Sequence, residues 1–174
     1  MNNIQHFQIQ LAEINFEVYT EPPEDPLGEL SDLEMNLRRC CYEYNQQVFF
    51  TIFDEKVRVF LEPDICLILD KLPQKIATLA QGKSIEICFT ESACRVIKFI
   101  PFGDKIICHF RSFGSFCEEK TFELDKPIVL SEFSNFLERL MDLAVEKSYI
   151  SIAEKKLLLF PIQPQEILAI PMGS

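Results

Sequence analysis

Short runs of alternating apolar and polar residues, joined by links of two or three polar residues, constrain this chain more than any other feature. Val48–Phe53 and Val57–Leu61 flank Asp54-Glu55-Lys56, and Ile85–Thr90, Cys94–Phe102 and Ile106–Phe113 are separated at Glu91-Ser92 and at Gly103-Asp104-Lys105. Links this short can close only antiparallel neighbours, because parallel strands need a crossover of about a dozen residues or more. With Thr121–Leu124 added, the pattern predicts a hairpin followed by a meander. A further alternation begins at His6, with Phe7, Ile9 and Leu11, slips at Ala12-Glu13, and resumes with Ile14, Phe16 and Val18 up to Tyr19. It reads as one long strand with a bulge.

Three stretches change to helical spacing. Leu33, Leu37, Cys40, Cys41 and Tyr44 form a stripe that Ser31 or Asp32 can cap. Pro63-Asp64 opens a second stripe of Ile65, Leu69, Leu72, Ile76 and Leu79; Pro73 should kink or split it, and Gly82 suits its end. Ser131 is placed to cap a third, with Phe133, Phe136, Leu137, Leu140, Met141 and Ala144 on one face. Leu157–Phe160 then reads as a last short strand. The expectation is an α+β fold, a mainly antiparallel sheet (hairpin plus meander) with about three helices packed on one face. Residues 1–174 form a single domain, with an acidic Pro-rich loop at 20–29 and a Pro-containing tail at 161–174 that either covers a sheet edge or projects as an extended peptide.

Composition narrows the function classes. The chain is 48% hydrophobic and 25% charged, an ordinary globular balance far from the disordered range. Met1–Gln10 contains no Lys or Arg and no continuous apolar stretch, and no apolar run approaches the roughly 18 residues that span a bilayer. A cytoplasmic protein with no membrane partner is expected. Its seven cysteines, without a C-x-x-C pair, then read as reduced thiols that mostly fill the core.

The formal charge of −10 is concentrated at the start, since residues 1–47 carry nine acids against two bases. No Lys/Arg stripe is present to displace counterions, so no nucleic-acid partner is expected. Glu21, Glu24, Asp25, Glu29, Asp32 and Glu34 run without an intervening base and are the candidate partner-binding residues for a protein with a basic surface. The competing reading is a solvated loop and helix start, where acids also suit the helix dipole.

Motifs that carry chemistry do not emerge. The five glycines are too dispersed for a phosphate-cradling loop, and no G-x-S-x-G elbow occurs. Cys108 and His109 are adjacent, and on a strand that sends them to opposite faces, Cys108 with Ile106 and Phe110, His109 with Ile107 and Arg111. Two histidines and unspaced cysteines predict no metal site and no cofactor. Phe113 and Phe116 around Gly114 read as a packed turn. The sequence thus favours a non-catalytic acidic interaction module, such as a regulator, adaptor or inhibitor of a basic partner. The alternative is a small-molecule-binding domain or enzyme with a pocket between sheet and helices, where Glu86, Arg95, His109 and Arg111 are the polar candidates.

Overall fold

The structure, a computed structural model, describes residues 6–12, 24–89, 94–113 and 117–162. The predicted α+β class holds, but the strands form two antiparallel sheets instead of one. The first joins β1 (Phe7–Ala12), β2 (Gln47–Ile52) and β3 (Glu55–Phe60) in that order. The second is the meander β4 (Ile85–Phe89), β5 (Arg95–Phe102), β6 (Lys105–Ser112) and β7 (Glu118–Asp125). Of the strand expected over residues 6–19, Phe7–Ala12 is seen and the remainder lies outside the described residues, as do Glu21, Gly114, Phe116 and the tail beyond Ile162.

The hairpin turn is tighter than the sequence suggested. Glu55 and Lys56 already belong to β3, leaving Phe53 and Asp54 to reverse the chain. Phe53 takes a left-handed φ of 54°, unusual for a bulky side chain, and its ring is sandwiched between His6, with centroids 4.2 Å apart, and Phe122 on β7, at 5.6 Å. Those stacks hold the turn against the second sheet. An ion pair between Glu55 and Lys120 adds a polar tie between the sheets.

Among the described residues five helices stand where about three were expected: α1 (Asp32–Glu43), α2 (Cys66–Leu69), α3 (Leu72–Ala80), α4 (Lys126–Glu146) and α5 (Ile152–Leu159). Pro73 sits in the first turn of α3, where its missing N–H costs nothing, so it splits the second stripe into α2 and α3 as anticipated. The third helix starts earlier than Ser131. Pro127 falls in its first turn, and Ser131 lies inside the helix with its hydroxyl donating to the Ile128 carbonyl at 3.0 Å. Leu157–Phe160 is helical rather than extended, because Ser151 and Glu154 make a reciprocal capping box that starts α5. This last helix buries Leu159 and leaves Ile152 and Leu157 exposed, as is Phe160 just beyond its end.

One phenylalanine-rich seam joins the layers. Phe7 and Phe50 from the first sheet meet Phe99 and Phe89 from the second, at 5.8 and 5.0 Å between ring centroids. Phe133 of α4 touches Phe7, Phe50 and Phe99 at 5.5, 6.4 and 5.4 Å. The stripe predicted for this helix, from Phe133 to Ala144, is fully buried. Helix α1 lies away from this seam, packing on the 61–65 turn and on α2, and Tyr149 beyond α4 hydrogen-bonds to its Glu43. The helices therefore do not share one face.

Two sheet edges, those of β1 and β4, receive side-chain partners. On the outer side of β1 the Ile9 N–H donates to Glu132 at 3.1 Å, and the Ile9 carbonyl accepts from Arg139 at 3.0 Å, both reaching across from α4. On β4, Lys75 of α3 donates to the Glu86 carbonyl. These bonds give the edge backbone the partners it would otherwise seek in another strand.

The start of α1 supplies a measurable local contribution. Ser31 accepts from the Glu34 N–H while Glu34 accepts from the Ser31 N–H and hydroxyl, a complete capping box. The hydrogen bonds from Ser31 hold the Glu34 carboxyl below its usual value of 4.5. Ser31→Ala is expected to cost about 0.5–2 kcal/mol at neutral pH, read from urea titration. A carboxyl held low in the folded state stabilises above its unfolded pKa and loses that contribution as pH falls through the folded one. The difference between Ser31→Ala and the parent should therefore narrow as pH drops below 4.5.

Candidate functional site

The acidic candidates sort into two groups once the backbone is in place. Asp25 folds its own loop, its two carboxylate oxygens accepting from the Glu29 and Leu30 N–H groups at 3.1 Å each, while Gly28 at φ 65° closes the turn on the Asp25 carbonyl. Glu34 is engaged in the cap of α1. Both carboxylates serve local structure. Glu24, Glu29 and Asp32 are exposed, and their carboxylates have no hydrogen bond or ion pair among the described residues. Glu21 lies outside them.

Folding also brings cations to this acidic stretch. Arg38 on the second turn of α1 donates to the Glu24 carbonyl at 3.5 Å, and the positive charge of Lys71 acts on Glu34. The surface is acidic but not of one sign. Sequence spacing hid this, because Lys71 reaches α1 only through the packing of the α2–α3 unit. The loop-closing role of Asp25 did have a signal: Asp-Pro-Leu-Gly is a turn sequence in which Asp bonds the backbone ahead of it.

The four alternative candidates lie on the meander and do not converge. Glu86, Lys98, His109 and Thr121 stand opposite one another across β4 to β7, forming a single row. His109 is exposed and its Nδ1 lies 3.0 Å from the Thr121 hydroxyl. Arg111 is two residues further along β6, in an ion pair with Glu119 at 3.0 Å. Arg95 pairs with Ser112 and points to the opposite, core-facing side, 5.7 Å from the Phe110 ring. Cys108 is buried as the alternation required, and burial pushes its thiol up to about 12, where it stays protonated at neutral pH.

Among the seven cysteines, Cys40, Cys41 and Cys108 are buried and Cys66 is half-buried, but Cys88, Cys94 and Cys117 are exposed, so core filling accounts for fewer of them than expected. The exposed Cys88 falls on the solvent side of the β4 alternation. Phe113 is also partly exposed instead of tucked away, its ring lying 4.8 Å from the Arg111 guanidinium.

A cleft of about 740 Å³ opens between β1 and α4. Its floor is the outer edge of β1 and its walls carry Phe49, Lys56, Glu132, Asn135, Glu138 and Arg139. The Lys56 ammonium sits 3.9 Å above the Phe49 ring, and the Arg139 guanidinium also donates to the Asn135 carbonyl at 3.2 Å. This volume falls within the range that holds small ligands, and the mixed charges suit a polar occupant. Nothing in the sequence joins these residues, which come from three separated elements. The available signal was local: Glu132, Asn135 and Arg139 repeat at helical spacing on the side away from the buried stripe.

Among the described residues, no group of three or more His, Cys, Asp or Glu is placed to hold a metal ion, and no helix is long and apolar enough to cross a membrane. Comparison with known proteins finds no family model, no curated protein and no solved structure that matches the chain.

Proposed function

We propose that this chain is a non-catalytic, cytoplasmic interaction module that docks a basic protein partner through the acidic surface leading into α1. The observation that supports the reading is the trio Glu24, Glu29 and Asp32, exposed and unengaged among the described residues while their neighbours Asp25 and Glu34 hold the backbone in shape. Fixed carboxylates on an ordered loop and helix start attract a basic surface over several ångströms and speed its encounter.

The structure indicates which acids to change. Replacing Glu24, Glu29 and Asp32 together with Gln, Gln and Asn is expected to slow association with a basic partner recovered by pull-down at low salt, with stability nearly unchanged because exposed charges contribute little to folding. The loss should shrink as salt rises, since charges are screened beyond about 8 Å at physiological ionic strength. Association at the parental rate at low salt in the triple variant would reduce the stretch to a solvated loop.

The cleft beside β1 favours a second reading, a small-molecule-binding domain. A thermal-shift screen against metabolites separates the two, because a ligand specific to the folded chain raises its midpoint whereas surface charge changes do not create one.

A further inference from the structure

We infer that the cleft beside β1 is a nucleotide site, taking a base against Phe49 and phosphate at Lys56 and Arg58. The inference rests on the small-molecule reading of that cleft and deepens it, and it does not depend on the acidic surface having a partner.

The outer face of the first sheet supplies the recognition chemistry. Val48, Phe50, Ile52, Val57 and Val59 are buried, so the residues between them point away from the core. Register then places Gln10, Phe49 and Arg58 in one row and Gln8, Thr51 and Lys56 in the next. Glu55, the one acid in the three strands, is turned the other way, where it pairs with Lys120. In a chain of 27 acids and 17 bases, a face with two cations and no carboxylate reverses the overall charge locally. Lys56 and Arg58 are exposed and have no ion pair among the described residues. Their contacts are with rings: the Lys56 ammonium lies 3.9 Å above Phe49, and the Arg58 guanidinium lies 5.8 Å from Phe60. Such contacts at an exposed site are weaker than the stacking of a base on an aromatic ring. A base can therefore displace the ammonium from Phe49, and the freed cation stays close enough to meet the phosphate.

The opposite wall fixes the other end of the ligand. Gln8, Gln10, Phe49 and Lys56 line the cleft from the sheet, and Asn135 and Glu138 line it from α4. Glu138 is loosely held, 3.7 Å from Lys155, whose nearer partner is Asp142 at 2.5 Å. Arg139 already donates to the Ile9 and Asn135 carbonyls at 3.0 and 3.2 Å. A simple dianion would meet Glu138, and a simple cation would meet Lys56. The fitting occupant is anionic at one end and donates hydrogen bonds at the other. Lys56 and Arg58 stand on β3 and α4 lies beyond β1, which sets those ends two strand spacings apart, roughly 10 Å. The adjacent ammonium and carboxylate of a free amino acid cannot bridge that span. A nucleotide laid across the strands can, with its phosphate at β3 and the amino edge of its base toward α4, and about 740 Å³ accommodates it. The formal charge of −10 opposes a long nucleic-acid strand, which needs many cations, but not a ligand as short as a nucleotide.

The test is calorimetric titration of the full chain with ADP, with a chelator present so that no divalent cation shares the phosphate charge. ADP should bind saturably, and adenosine and inorganic pyrophosphate should each bind at least about tenfold more weakly, because each reaches only one end of the cleft. Lys56→Met, at an exposed position, should weaken ADP about tenfold without weakening adenosine, since it removes a charge-assisted bond to phosphate. Phe49→Leu should weaken both by about tenfold, the loss of one stacked base. Lys98→Met, on the exposed side of β5 in the second sheet, should change nothing. Circular dichroism establishes that each variant is folded. Pyrophosphate binding as tightly as ADP, equal losses in Lys98→Met and Lys56→Met, or parental ADP binding in Phe49→Leu would each overturn the assignment. A short oligodeoxythymidine binding more tightly than ADP would overturn it in favour of a track for single strands. Absence of heat with millimolar ADP would also overturn it: another metabolite whose binding is lost in Phe49→Leu would then leave the cleft a small-molecule site of a different class, and no ligand at all would remove both readings.

Discussion

Phe133→Ala is expected to destabilise the protein by about 3–5 kcal/mol, the usual cost of deleting a large buried aromatic group. The side chain is 0% exposed and lies where Phe7 and Phe50 of one sheet approach Phe99 of the other. Its removal leaves a cavity walled by three rings from three strands, and rings anchored in hydrogen-bonded ladders cannot collapse far to fill it. The cost therefore combines lost burial with an unrelieved void. Urea unfolding followed by circular dichroism measures it, and a loss under about 1.5 kcal/mol would mean that the seam repacks and the sheets are not rigidly joined there.

Leu140→Ala should cost about 2–5 kcal/mol. Leu140 is 1% exposed and lies two helical turns beyond Phe133 on the same face of α4. Two turns separate the positions by roughly 10 Å, so the two substitutions should add to within about 0.5 kcal/mol. A loss below about 1 kcal/mol at Leu140, or a double variant far from additive, would show that α4 is anchored by one end only.

The buried face of α4 was legible because a single sided apolar stripe of six positions has no other stable reading. Its start was not. Thr121–Leu124 satisfies the strand pattern and Ser131 satisfies the cap pattern, and the intervening Pro127 was a better indicator of a first helical turn than Ser131 was of a cap. The short run Leu157–Phe160 carries no period of its own, so strand and helix fit it equally; Ser151-x-x-Glu154 just upstream held the deciding signal.

The division into two sheets could not be read from the links alone. Short links specify which strands are neighbours within each group, but the long 61–84 connection is silent on whether β4 joins β3 or starts a new sheet. For the same reason Cys108 and His109 were correctly sent to opposite faces, since alternation within a strand is local, whereas judging whether Glu86, Arg95, His109 and Arg111 converge required knowledge of register. Arg95 fails by one residue of parity. The cleft beside β1 depends on α4 returning across the first sheet, which no local pattern encodes.

The side chains that cover the outer edge of β1 also set the order in which that edge can fail. A foreign strand cannot align on β1 while Glu132 and Arg139 hold the Ile9 backbone, and the buried face of α4 keeps those two residues in position. Pairing along the β1 edge therefore waits for α4 to peel away, an event within one molecule. A stronger hold of α4 on the core is therefore expected to protect that edge by making its exposure rarer.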